Sequence, residues 1–178
     1  MPSHAGFLRD ILANPEDDAP RLVYADWLDE HGEAARAEFI RVQVRLAALP
    51  EGADERLELA RRQRQLLREH RERWLDPLRG LVSDASFRRG FVERAQFDAE
   101  TFLDHGDEVF AREPVRSVSF FERPLGTLTQ IAGSPLLAGL TVLDLRHYRA
   151  NGLPSSQHVT EAEMRALAAA PAVEGAPA

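Results

Sequence analysis

The sequence predicts an α/β chain in which a run of helices precedes a short array of parallel strands. Two observations carry that prediction. Over the first 80 residues apolar side chains recur at helical spacing and are interrupted by helix-stop signals. After residue 85 a six-residue pattern, apolar-x-x-apolar-x-apolar, occurs three times at nearly constant separation. A chain of 178 residues with 44% hydrophobic content suffices for one domain, or for two small ones that share a core.

The helices follow in order. Phe7, Leu8, Ile11 and Leu12 share one helical face until Asn14-Pro15 ends the pattern. Asp17 and Asp18 then offer capping oxygens, Pro20 suits a first turn, and Gly32 stands where a left-handed residue would close a helix over about 19–31. A third helix is expected over about 33–49, stopped by Pro50-Glu51-Gly52. A fourth should run over about 53–74 and end near Pro77.

The strand pattern reads VERAQF at 92–97, VRSVSF at 115–120 and LTVLDL at 140–145, with starts 23 and then 25 residues apart. Amphipathic stretches at 99–112 and 125–137 lie between them, suited to helices or turns packed behind the strands. A strand repeat of 20–29 residues is the signature of a leucine-rich-repeat solenoid, whose units bury their apolar faces only by stacking. Here the repeats are degenerate, because Tyr148 occupies the position of the usual Asn and the nearest Asn is Asn151. A further helix is expected over 161–170, and the small, Pro-containing tail 171–178 is expected to be loosely ordered. The expected fold is therefore a helical domain (1–80) capping a short, degenerate leucine-rich-repeat-like solenoid with a small parallel sheet (81–170). Gly90, just before the first strand pattern, reads as a turn or a close packing contact, and Arg88 and Arg89 beside it face acids of the helical domain in this reading.

The stretch FLRDILANPEDDAPRLVYADWLDEHGEAARAEFIRVQ, 7–43, closely resembles the bacterial repeat-companion domain, a helical module found at the start of proteins with degenerate leucine-rich-like repeats. FRRGFVE (87–93), PVRSVSF and LTVLDLR resemble the repeats that accompany it. The resemblance implies the fold above and no established activity or catalytic residues.

Composition narrows the role. There is no Cys, which excludes disulfides, thiolate metal sites and a cysteine nucleophile, and favours a reducing, cytoplasmic setting. No apolar run approaches the roughly 18 residues of a membrane span, and no leader pattern opens the chain. All 22 basic residues are Arg, and the net charge of −7 is uneven: about −7 over 1–60, +4 over 61–75 and −4 beyond.

Three groups of polar residues are candidates for a site. On helical wheels Asp26, Asp29 and Glu30 form one acidic stripe, whereas Arg36 and Gln43 fall on the apolar side of the next helix. An unpaired guanidinium there is costly, so Arg36 is expected to pair with that stripe, to bond carbonyls at a helix end, or to reach water along its stem. This reading makes the five residues structural; a groove bordered by Asp26, Trp27 and Arg36 is the functional alternative. Arg61, Arg62, Arg64 and Arg68 lie in a segment with six Arg and two Glu, the best nucleic-acid candidate, although no aromatic is interleaved before Trp74. Trp74 itself is expected to close the core between helices and repeats.

No catalytic or metal-ligating set emerges, and no cofactor is implied. The sequences around His31 and His105 place carboxylates beside a His and a Gly, but a helix-end His before a capping Gly accounts for the first equally well. No metalloprotease, phosphate-loop or nucleophile-elbow motif occurs. The strand pattern leaves Arg94, Gln96, Ser117, Ser119, Val142 and Asp144 on the open, concave side of the sheet. The leading expectation is a non-enzymatic module binding another protein there, with nucleic-acid binding through the arginine helix as the alternative and self-association through the last repeat also open.

Overall fold

A computed structural model describes residues 3–120, 127–145, 165–166 and 169. The expected helix at 161–170 lies almost wholly outside the described residues, as do Tyr148, Asn151 and the tail 171–178. The chain forms two compact units. One comprises Met1–Pro77, Phe87–Val92 and Arg112–Pro114; the other comprises Leu78–Ser86, Glu93–Ala111 and Val115–Ala178.

The first unit holds α1 (His4–Ala13), α2 (Ala19–Glu30), α3 (Ala34–Ala48) and α4 (Glu55–Leu75), close to the bounds expected from the sequence. Local chemistry sets their ends. The Ser3 hydroxyl accepts the Gly6 N–H to start α1, and Asn14 stops it by donating its backbone N–H and its side-chain amide to the Asp10 carbonyl. Asp17 accepts the Ala19 N–H at the entry to α2, with Pro20 in the first turn. At the far end Gly32 takes φ +82° and the Glu33 N–H returns to the Leu28 carbonyl, satisfying one of the last carbonyls of the helix.

The buried stripe of α2 is Arg21, Tyr24, Ala25 and Leu28, at i, i+3, i+4 and i+7. It is rotated from the face that a helical wheel of the sequence marks as apolar, Val23, Tyr24, Trp27 and Leu28, so that Val23 is 54% exposed while Arg21 is fully buried. Phe7 and Ile11 of α1, Tyr24 and Leu28 of α2, Ala37, Ile40 and Val44 of α3, and Phe91 form one apolar cluster. Phe39, Trp74 and Phe87 form an aromatic trio beside it, with ring centroids 4.7 to 6.2 Å apart.

The strands are β1 (Asp84–Arg88), β2 (Phe91–Phe97), β3 (Ser117–Phe120) and β4 (Val142–Asp144), ordered β1-β2-β3-β4 in one sheet. Only Arg89 and Gly90 join β1 to β2, which compels an antiparallel pair. Both take positive φ, 50° and 88°, as a two-residue hairpin turn of the primed kind requires. From β2 to β4 the pairing is parallel. The sheet is thus mixed, and the expectation of parallel strands alone missed β1, whose DASFR lacks the recurring apolar pattern.

In the second unit the connections between parallel strands are α5 (Ala99–Phe110), then α6 (Thr127–Ala132) followed by a 3-10 turn at Pro135–Gly139. Asp98 caps α5 by accepting the Thr101 N–H at 2.8 Å. Ala95, Phe97, Val118 and Phe120 are buried. Phe102 of α5 meets Phe97 and Phe120 edge-on, each at 5.4 Å. The intervening residues Arg94, Gln96, Ser117 and Ser119 are exposed or half-exposed, as strand alternation dictates.

Candidate binding sites

Within the first unit an open cleft of about 610 Å³ is lined by side chains from all four helices, the hairpin and the 112–114 segment. Its walls are aromatic. Tyr24 and Trp27 of α2 lie nearly parallel at 5.9 Å, His31 stacks on Trp27 at 3.9 Å, and Trp74 and Phe91 complete the lining. Local bonds hold these rings: the Tyr24 hydroxyl and His4 Nδ1 are hydrogen-bonded at 2.9 Å, and His31 Nδ1 donates to the Trp27 carbonyl at 2.7 Å. Burial pushes the Tyr24 phenol up to about 12, against the opposing effect of Arg36, so it stays protonated.

Arg36 lies inside this aromatic surround. Its guanidinium carbon is 4.9 Å from the centre of the Trp74 ring, 5.2 Å from Phe87, 5.6 Å from Phe91 and 5.8 Å from Phe39. Nη1 is buried without a hydrogen-bond partner. Ring quadrupoles attract the cation but offer no lone pair, so they offset only part of its desolvation. Desolvation accordingly lowers the Arg36 pKa, with Glu113, Tyr24 and Glu33 opposing it.

The pairing expected between Arg36 and the acidic stripe is made instead by Arg41. Its guanidinium meets Asp26 at 2.7 Å and Asp29 at 2.6 Å, tying α2 to α3 on the solvent side. Glu30 stays exposed. The groove expected at Asp26, Trp27 and Arg36 is therefore found at Trp27 and Arg36, while Asp26 lies outside it. Gln43 is 6% exposed and acts as a structural tie: its amide donates to the Phe87 carbonyl and to Gln63 Oε1, each at 3.2 Å, and its oxygen accepts the Gly90 N–H at 2.8 Å. Arg89, of the Arg-Arg pair, has Glu16 at 3.2 Å and Asp18 at 3.7 Å.

In the second unit the six residues expected on the open sheet side occupy two adjoining rows in register. Arg94 pairs with Ser117 and Ser117 with Val142; Gln96 pairs with Ser119 and Ser119 with Asp144. Val142 is 49% exposed. Arg94 and Asp144 are placed in different rows on the outer two of the three strands.

Along α4 the four arginines divide. Arg62 is held by Glu38 through two bonds of 2.5 and 2.6 Å, which also lower the Glu38 pKa. Arg61, Arg64 and Arg68 are exposed and, with Leu67, line a shallow recess. Trp74, expected to close a core between helices and repeats, packs against Phe39 of α3 and Phe87 of β1 and also lines the cleft.

No family model, curated protein or solved structure matches the chain. Among the described residues no group of three or more His, Asp or Glu is arranged to hold a metal ion. No helix among them is long and apolar enough to cross a membrane.

Sequence reasoning missed Phe91 and Glu113 as cleft residues, and Arg21 as a buried cation. Phe91 is brought to the cleft by the hairpin, a feature the strand pattern did not announce. Glu113 lies in a connection where no periodicity applies. Its carboxyl accepts the Val92 N–H at 2.8 Å, and burial pushes its pKa up to about 7, the nearby Arg36 opposing that rise.

Proposed function

We propose that the protein is a non-enzymatic interaction module: a repeat-companion-like helical part joined to a short leucine-rich-repeat-like solenoid that binds another protein through its open sheet face. The observation that supports this is the register of Arg94, Ser117 and Val142 beside Gln96, Ser119 and Asp144. A polar face carrying a cation and an anion on different strands suits a partner bearing the opposite charges in the same arrangement, with hydrogen bonds to the serines between them. The chemistry of such a face is recognition, without a bond-making step.

The test is a photo-crosslinking residue placed at Ser117, compared with one at the exposed Leu57 of α4, in the native lysate after nuclease treatment. A discrete protein adduct is expected at 117 alone, and it is lost when Arg94→Glu and Asp144→Arg are combined in a chain whose circular dichroism is unchanged. Equal labelling from both positions, or an adduct indifferent to charge reversal, overturns the proposal.

A second reading rests on the exposed α4 stripe. Arg61, Arg64 and Arg68 stand at i, i+3 and i+7, on one helix face over a rise of roughly 10 Å. Such a stripe suits phosphates. Binding of a labelled oligonucleotide that weakens steeply with salt, and disappears in the triple Gln variant, supports this reading; absence of binding at low salt removes it.

A further inference from the structure

The cleft of the first unit has a use separate from the sheet face. We propose that it binds a small organic carboxylate with an aromatic or flat apolar body, the carboxylate being held by the Arg36 guanidinium. Three observations converge on that chemistry.

The first is the state of Arg36. It has five N–H donors, and among the described residues it makes no hydrogen bond or ion pair. Neither neighbouring acid is within ion-pair distance of it: Glu33 pairs with Arg73, and Glu113, which accepts the Val92 amide through one oxygen, acts on Arg36 through its charge alone. A planar, singly charged carboxylate matches the guanidinium fork and supplies the missing acceptors.

The second is the wall. Tyr24, Trp27, Trp74 and Phe91 offer ring faces that cover a flat apolar body, and of the two other arginines in the lining Arg73 is paired with Glu33 and Arg112 has interactions of its own, so the charge of the ligand is left to Arg36. A dianion such as a phosphate ester would bring a second negative charge among Glu33 and Glu113. The third is size: about 610 Å³ lies within the roughly 300–1,000 Å³ typical of sites that enclose small molecules.

The chain contains two tryptophans, Trp27 and Trp74, and both line this cleft. Their fluorescence therefore reports on it directly. Titration of the full chain with phenylacetate is expected to give a saturable change, with phenylacetamide, the uncharged analogue of the same shape, at least tenfold weaker. Arg36→Gln is expected to abolish the preference for the acid. Equal binding of acid and amide, or no saturation by either up to about 10 mM, overturns the proposal. The acid–amide comparison uses the unaltered chain, so it decides the question even if the variant fails to fold. It also leaves the sheet face untouched, so failure here and failure of the interaction reading are separate results.

Discussion

The Gly90 N–H donates to the side-chain oxygen of Gln43 at 2.8 Å, while the amide of the same glutamine reaches back to the Phe87 carbonyl at 3.2 Å. One buried side chain on α3 thus satisfies both arms of the hairpin turn. Replacing it with a shape-similar apolar residue leaves a buried donor and a buried acceptor unmatched, each costing about 1–3 kcal/mol. Gln43→Leu is therefore expected to lower stability by about 3 kcal/mol, measured as a reduced urea midpoint at unchanged slope.

Gly90 itself approaches α3 too closely for any side chain. A Cβ built there lies 2.4 Å from Ile40 Cγ1 and 2.9 Å from the Ile40 Cα, and the residue has φ +88°. Gly52 has a similar φ of +93° but open space around it. Comparing the two separates backbone strain from collision. Gly52→Ala is expected to cost about 1 kcal/mol, from the left-handed conformation alone. Gly90→Ala adds overpacking against the α3 backbone and is expected to cost about 3 kcal/mol or more. Equal shifts in the two unfolding midpoints would remove the close-approach argument.

These two residues show what was legible in the sequence. Gln43 stood on the apolar side of a helical wheel, and Gly90 stood before a strand, so each was marked by a mismatch with its local pattern. Local patterns also set α1 to α4, because their stops are written in adjacent Pro, Gly and Asn. Arg36 was marked in the same way, but its surroundings were not. Sequence proximity pointed to Asp26, Asp29 and Glu30, whereas the residues that surround it, Trp74, Phe87 and Phe91, arrive from α4 and the hairpin. Periodicity reports which face is buried and is silent about what meets that face from a distance. It erred for α2, where Arg21 takes the buried position and the apolar Val23 faces water.

In the second unit Phe102 is the residue on which the helix layer and the sheet meet. It is 1% exposed and contacts Phe97, Phe110 and Phe120 through ring edges. Phe102→Ala is expected to destabilise by about 3–5 kcal/mol, from lost burial and the cavity left behind. Phe102→Leu recovers part of the loss. Chemical denaturation followed by circular dichroism checks both, and a loss below about 1 kcal/mol for the alanine variant would contradict the packing described.

Glu113 sets a pH dependence whose sign is fixed by its surroundings. Desolvation raises its pKa to about 7, against the smaller opposing effects of Arg36 and of the Val92 N–H. An unfolded glutamate titrates near 4.5. Between about 4.5 and 7 the folded chain therefore holds a proton that the unfolded chain has released, and stability falls as pH rises through that window. The stabilising contribution is fully present below about 4.5 and lost above about 7. A change from 4.5 to about 7 corresponds to about 3 kcal/mol. Glu113→Gln keeps an acceptor for the Val92 N–H and removes the titration. The stability of the parent chain minus that of the variant is thus expected to decline by roughly that amount between pH 4.5 and pH 8, read from urea midpoints at each pH. Subtracting the variant cancels titrations common to both chains. A difference that instead grows with pH would mean that the Arg36 charge outweighs burial, and that Glu113 and Arg36 form an ion pair that stabilises the fold.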